Sequence, residues 1–140
     1  MNLATLIAKR AEEGQPIRVG MIGAGKFGTM FLAQAERQRG IHIIGICDLN
    51  PEATRSNLAL ANWTSERYAA KSLDAAEKNG TTHLGDNWEA LVNHPAVEII
   101  IECTGNPMAA VTHILSAFDQ GKHVINCLLY TSDAADDDRS

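Results

Sequence analysis

Three glycines near the start of the chain have the spacing of a loop that binds phosphate groups. Gly23, Gly25 and Gly28 lie in the string GAGKFG, directly after the apolar run IRVGMI. The first glycine of such a loop permits a sharp turn out of a strand, the second lets a ligand approach the backbone, and the third allows a helix to pack closely on the strand. The first N–H groups of that helix favour a negatively charged ligand. The spacing therefore predicts a site for the pyrophosphate of a dinucleotide.

An acidic residue follows these glycines at a position that suits a ribose. Asp48 ends the β-branched run IHIIGICD, twenty residues after Gly28. In dinucleotide-binding loops a carboxylate about 20 residues further on accepts hydrogen bonds from the adenosine ribose hydroxyls. Its charge would repel a 2′-phosphate, which favours NAD over NADP, although Arg55 or Lys26 could supply positive charge for NADP. The alternative is that Asp48 only caps the turn that follows it.

A second group of polar residues follows the most apolar run of the chain, VEIIIEC. Thr104, Gly105 and Asn106 come where this strand would meet its helix. At that edge of a sheet the nicotinamide half of a dinucleotide would lie, and small polar groups there could contact its ribose. The alternative is a plain strand-to-helix connection with Asn106 as N-cap.

Five other residues of reactive types are given no catalytic role. Cys47 and Cys103 lie in apolar runs and are predicted to be buried small apolar residues. Glu102 stands at a strand end without an assigned function. For His113 and His123 the sequence shows no partner, so both are predicted to be structural. The catalytic residues are therefore left unassigned.

The elements that must hold these residues alternate between strand and helix patterns. Strands are predicted at IRVGMI, IHIIGIC, THLG, VEIIIEC and KHVIN, and helices lie between them. The last helix pattern, PMAAVTHILSAF, places its large apolar residues on one side. Such alternation favours parallel strands joined by right-handed crossovers. We expect an α/β fold over residues 17–126, a doubly wound parallel sheet (Rossmann) of about five strands in the order 3-2-1-4-5, preceded by a helix in residues 1–16.

Composition and charge disfavour several classes of protein. The 140 residues are 45% hydrophobic and 21% charged, as in an ordinary globular domain, and no signal peptide or membrane span is expected. Residues 127–140 carry −3 of the net charge of −5, which leaves −2 for the rest. Without a basic surface, nucleic acid is not an expected partner. Three scattered cysteines indicate reduced thiols in a cytoplasm, and the five histidines form no cluster, so no metal site is expected.

Two other nucleotide-binding patterns compete for the glycine loop. The string GMIGAGK matches the G-x-x-x-x-G-K of a P-loop, but Phe27 follows where a serine or threonine should bind Mg²⁺, so this match is rejected. A methyltransferase that uses S-adenosylmethionine also pairs a glycine turn with an acid after the second strand. That enzyme and a non-catalytic dinucleotide-sensing module remain open alternatives.

Taken in order, five strings carry a resemblance to a known family: IRVGMIGAGKFGTMFLAQ, CDLNPE, THLGDNWEALV, ECTGNP and GKHVIN. Over about residues 1–126 the chain resembles the N-terminal NAD(P)-binding domain of homoserine-dehydrogenase-like and reductoisomerase-like oxidoreductases, and more distantly the glucose-fructose oxidoreductase superfamily. The resemblance implies an enzyme that uses NAD or NADP to move a hydride to or from a small polar carbonyl or alcohol substrate. It also implies acid/base residues in a second domain, through which a homo-oligomer could form. Carried over by position, it implies cofactor contacts at Gly23, Gly25, Lys26, Phe27, Gly28, Asp48, Thr104 and Gly105.

The end of the chain has a resemblance of another kind. CLLYTSDAADD, which begins at Cys127, resembles the translation of the adapter of a transposase-based sequencing library. We therefore expect residues 127–140 to be non-native and the catalytic domain to be absent from this chain. The alternative is a native acidic tail.

Overall fold

The structure is a computed structural model that describes residues 2–35 and 37–127, apart from the side chains of Leu3, Lys26 and Phe27. Of the segment that the sequence predicts to be non-native, only Cys127 falls within the described residues. None of the helices in the described part has the length and apolar character that a membrane span requires.

Strands and helices alternate along the chain after an N-terminal helix. The strands are β1 (Ile17–Ile22), β2 (Ile41–Cys47), β3 (His83–Gly85), β4 (Ile99–Glu102) and β5 (His123–Asn126). The helices are α1 (Leu3–Glu12), α2 (Lys26–Ala35), α3 (Pro51–Leu60), α4 (Leu73–Asn79), α5 (Trp88–Asn93) and α6 (Pro107–Asp119), with a short 3-10 helix at Ser65–Tyr68.

The five strands form one parallel sheet in the order β3-β2-β1-β4-β5. The predicted fold class and strand order are therefore confirmed. Strand β1 lies in the middle, with Ile22 opposite Cys47 of β2 on one side and Glu102 of β4 on the other. The carboxyl ends of these three strands thus meet at one edge of the sheet.

Helices cover both faces of the sheet, as the continuous apolar runs of β1 and β2 require. On one face, Met21 and Ile43 pack in a cluster with Leu32 of α2, Leu58 of α3 and Trp63. On the other face the cluster contains Ile44, Leu91, Val92, Ile100 and Ala117. Full burial of each large aliphatic side chain contributes about 1.5–3 kcal/mol. This two-sided core fixes the sheet edge on which the candidate site is built.

Helix α1 is tied to the sheet by an arginine. Its N-cap is Asn2, whose side chain accepts the N–H of Thr5. Arg10 Nη2 lies 3.0 Å from each carboxylate oxygen of Glu98, just before β4. Glu98 also accepts the backbone N–H of Arg18 in β1 at 2.9 Å. Glu98 therefore links α1 to the two central strands.

Candidate functional site

The glycine loop leaves β1 in a conformation that excludes other residues at its first position. Gly23 has φ +82°, and a Cβ built on it would lie 2.7 Å from the backbone nitrogen of Thr104. Gly28 is buried, and a Cβ there would come within 3.4 Å of the carbonyl oxygen of Gly23. Gly25 differs, because it is exposed and a Cβ on it would meet nothing within 4 Å. The loop thus combines a sharp turn, a close helix contact and a stretch of open backbone.

Asp48 is bonded to this loop and to its own turn. Its Oδ2 accepts the backbone N–H of Ala24 at 3.0 Å, and its Oδ1 accepts the N–H of Asn50 at 3.1 Å. The turn-capping role that the sequence left open is therefore part of what Asp48 does. The other part is a bridge from the end of β2 to the glycine loop.

The connection from β4 to α6 is held by side chains from both ends. Thr104 donates its backbone N–H and its hydroxyl to Glu102 Oε1, at 2.8 and 2.6 Å. Asn106 Oδ1 accepts the N–H groups of Met108 and Ala109, at 3.1 and 3.2 Å. The N-cap role that the sequence analysis gave to Asn106 as an alternative is therefore present.

A cavity of about 460 Å³ lies at the carboxyl ends of β1, β2 and β4. This volume is within the range of small-molecule sites. Its lining residues come from the last residues of β1 and β2, from the four connections that follow β1, β2, β3 and β4, and from α5 and α6. They are Ile22, Gly23, Ala24, Gly25, Cys47, Asp48, Leu49, Asp86, Trp88, Cys103, Thr104, Asn106, Ala109 and His113.

The cavity brings together four of the eight residues predicted to contact a cofactor, namely Gly23, Gly25, Asp48 and Thr104. Gly28 lies behind the loop in α2, and Gly105 follows Thr104 with φ +71°. Lys26 and Phe27 form the first turn of α2, and their side chains are outside the described part.

A buried hydrogen bond between a carboxylate and a histidine at the cavity is the feature that sequence reasoning missed. Glu102 is 1% exposed, and its Oε2 is hydrogen-bonded to Nδ1 of His113, which is 7% exposed. The ring of Trp88 packs on the imidazole with 4.6 Å between centroids. The prediction that His113 lacks a partner is wrong. The available signal was the position of His113 between Ala110 and Ala117, which places it on the small-residue face of α6 that packs inward.

The two strand-end cysteines are poor nucleophiles. Burial, together with the charges of Asp48 and Asp86, raises the pKa of Cys47 to about 12. Burial and the neighbouring Cys127 likewise raise the pKa of Cys103. Both thiols therefore stay protonated near neutral pH. The prediction of burial is confirmed for Cys47 but wrong for Cys103, which is only partly buried and lines the cavity.

One group of possible metal ligands lies outside this cavity. Ligand atoms of Asp74, Glu77 and His94 are within 4.8 Å of one another, and both acidic residues are exposed. His94 Nε2 is 2.8 Å from Asp74 Oδ1, and its Nδ1 accepts the N–H of Ala96. A histidine paired with a surface carboxylate accounts for this arrangement.

The strand order, the glycine turn, the acid after β2 and the cavity across the strand ends define a dinucleotide-binding Rossmann domain. Residues 17–126 match the GFO/IDH/MocA oxidoreductase family, NAD-binding Rossmann fold, and the chain belongs to this family. The predicted oxidoreductase class and nicotinamide cofactor class are thereby confirmed, and the methyltransferase alternative finds no support.

Individual relatives agree with this placement. The chain is 27% identical, over 113 residues, to homoserine dehydrogenase of Methylobacillus glycogenes, a match that covers 79% of this chain and 24% of that protein. Among solved structures, homoserine dehydrogenase from Thiobacillus denitrificans has a TM-score of 0.54 at 23% identity, over 81% of this chain and 24% of that one. Myo-inositol dehydrogenase from Lactobacillus casei, in complex with NAD(H) and myo-inositol, has a TM-score of 0.57 at 17% identity. This match covers 79% of this chain and 28% of that one. The structural likenesses show the fold, and this chain spans about a quarter of the length of these relatives.

Proposed function

We propose that this chain binds NAD(H) in the cavity at the ends of β1, β2 and β4. We further propose that it serves an oxidoreductase that moves a hydride between the nicotinamide and a small polar carbonyl or alcohol. The observation that carries the proposal is the meeting of Gly25, Asp48 and Thr104 around one cavity. The nicotinamide ring supplies the hydride chemistry when it is bound, and the chain supplies binding and orientation.

The residues of the cavity suit the parts of a dinucleotide. The open backbone at Gly25 and the start of α2 fit a pyrophosphate, because nothing blocks its approach and the first N–H groups of a helix lack intrahelical partners. Asp48 has the acceptor oxygens for ribose hydroxyls. Lys26, Phe27, Gly28, Thr104 and Gly105 complete the proposed contacts by their positions in the loop and at the end of β4.

The charges around the cavity support NAD as the preferred form of the cofactor. Asp48 and Asp86 both line it, and two carboxylates disfavour a 2′-phosphate. Arg55, one of the two counter-charges that the sequence offered, is an exposed residue and is not among those that line the cavity.

The rest of the active site is proposed to belong to a second domain. The relatives are about four times as long as the segment that matches them. We place the acid/base residues, the substrate contacts and any homo-oligomer interface in that domain. The free cysteines Cys47 and Cys103 are consistent with a reducing compartment, and the cytoplasm is the proposed location.

Parallel titrations of the chain with NADH, NADPH and S-adenosylmethionine test the proposal by calorimetry. We expect NADH to bind more tightly than the other two compounds. The variants Gly25→Val and Asp48→Ala should each have a lower affinity for NADH than the wild type. Asp119→Ala is the matched control, because Asp119 is an exposed carboxylate at the end of α6, outside the cavity. Unchanged NADH affinity in both variants, or a preference for S-adenosylmethionine, would contradict the proposal. Turnover by the full-length gene product would separate an enzyme from a dinucleotide-sensing module.

A further inference from the structure

The buried pair of Glu102 and His113 has no part in the function proposed above, yet it borders the same cavity. Glu102 is the last residue of β4, and His113 lies in the second turn of α6. Their side chains are 1% and 9% exposed. A buried carboxylate persists only where it is paired and hydrogen-bonded, so the contacts of this pair are informative.

Glu102 uses both carboxylate oxygens for neighbours. Oε1 accepts the N–H and the hydroxyl of Thr104, and Oε2 is bonded to Nδ1 of His113. Thr104 lines the cavity. Glu102 therefore fixes one cavity residue, Thr104, and the ring of another, His113.

This arrangement leaves one polar atom of His113 available for a ligand. Nδ1 is hydrogen-bonded to Glu102, and within residues 2–35 and 37–127, apart from the side chains of Leu3, Lys26 and Phe27, no group is hydrogen-bonded to Nε2. The imidazole is held from the side by Trp88, at 57° between ring planes, and His113 lines the cavity. A molecule that fills the cavity can therefore supply the hydrogen-bond partner of Nε2.

We propose that His113 Nε2 binds a ribose hydroxyl in the nicotinamide half of the dinucleotide, and that Glu102 is the positioning residue for both His113 and Thr104. A hydroxyl suits Nε2 because it can accept or donate, whichever the protonation of the pair demands. The nicotinamide half is assigned because the pair stands at the end of β4, away from the acid after β2 that suits the adenosine ribose. The inference rests on the proposed function.

The decisive variant is His113→Asn, compared with the wild type for NADH and for ADP. The asparagine amide can still donate to Glu102, but it has no atom at the position of Nε2. We expect NADH affinity to fall about 3- to 10-fold, the loss of one hydrogen bond, while ADP affinity stays the same. Glu102→Gln keeps an acceptor for Thr104 and a donor for the ring, and it should bind NADH within about twofold of wild type. Glu102→Ala should lose NADH affinity like His113→Asn.

A spectroscopic readout on the wild type does not depend on how the variants fold. In protein labelled with ¹⁵N in the histidine rings, NADH should shift the Nε2 resonance of His113, and ADP should leave it in place. Three results would overturn the inference while leaving the proposed function intact. They are equal NADH affinity of His113→Asn and wild type, an equal loss of NADH and ADP affinity in His113→Asn, and an Nε2 resonance that does not shift with NADH. A wild type that binds no NADH would overturn both.

Discussion

The carboxylate of Asp48 accepts the backbone N–H of Ala24 at 3.0 Å, so the acid at the end of β2 holds the glycine loop at the end of β1. In the proposed complex the same carboxylate binds ribose hydroxyls. A carboxylate has about four acceptor positions on its two oxygens, and two of those on Asp48 are used by Ala24 and Asn50. The loop contact and the proposed ribose contact are therefore compatible, and in the proposed complex Asp48 preorganises the loop as well as binding the sugar.

Replacement of Asp48 should separate these two roles. Asp48→Asn retains an acceptor for the N–H of Ala24, but its NH2 group replaces the acceptor of the Asn50 N–H and the charge is lost. We therefore expect a loss of stability smaller than that of Asp48→Ala, and an increased ratio of NADPH to NADH affinity. Asp48→Ala removes both acceptor oxygens as well as the charge. We expect it to lower the free energy of unfolding by about 1 kcal/mol and to lower the affinity for both NADH and NADPH. Urea unfolding and calorimetric titration measure the two effects. An NADPH to NADH ratio that Asp48→Asn leaves unchanged would contradict the charge argument.

Replacement by alanine should affect stability very differently at two glycines of the loop. At Gly23 a methyl group would meet the backbone of Thr104 at 2.7 Å in a left-handed conformation, so Gly23→Ala should lower the free energy of unfolding by about 1–3 kcal/mol or more. At Gly25 the methyl meets nothing within 4 Å, so Gly25→Ala should change stability by less than about 0.5 kcal/mol. Gly25→Ala should still lower the affinity for NADH, because the methyl group lies where the pyrophosphate is proposed to bind. Urea denaturation of both variants checks this, and equal loss of stability in the two would refute it.

The sheet could be predicted from the sequence because its central strands are short apolar runs rich in β-branched residues, a composition that favours strand over helix. The helix patterns between successive strands then require long crossovers, which join parallel strands. The glycine loop was predictable because only a glycine fits the turn at position 23. These features depend on neighbouring residues in the chain, so the sequence could predict them.

The parts that could not be predicted depend on contacts between distant residues. Glu102 and His113 are 11 residues apart, and the helix carrying His113 has a more conspicuous apolar side in Met108, Leu115 and Phe118. Those large residues are exposed, and the small-residue face of α6 packs inward around the histidine. A hydrophobic pattern identifies the helix, but it does not contain the contact between His113 and the carboxylate of Glu102, which lies on the face that packs inward.

Stability should fall in mild acid because of His42. This residue is buried in β2, and burial lowers its pKa below the usual 6.5 although its Nε2 is hydrogen-bonded to the carbonyl of Thr81 at 2.7 Å. The unfolded chain binds the proton more readily, so the contribution of neutral His42 is complete above about pH 6.5 and is lost as the pH falls toward the lowered folded value.

The variant His42→Gln isolates this effect, because glutamine can donate to the Thr81 carbonyl and does not titrate. We expect the stability advantage of wild type over His42→Gln to be greater at pH 7.5 than at pH 5.5, as measured by urea unfolding at both values. The other histidines are common to both proteins, so their titration cancels in the difference. An advantage that is the same at both pH values would show that His42 is not the titrating group.

The thiol of Cys47 should be protected in the folded protein. It is buried, and its pKa of about 12 leaves almost no thiolate near neutral pH, whereas alkylating reagents attack the thiolate. We expect iodoacetamide to modify Cys47 at least about tenfold more slowly in buffer at pH 8 than in urea, as followed by mass spectrometry of its peptide. Exposed thiols in the urea sample serve as the internal reference for reagent activity. Rapid modification of folded Cys47 would mean that the end of β2 opens to solvent, and the cavity wall next to Asp48 would then lack the rigidity that the proposed ribose contact needs.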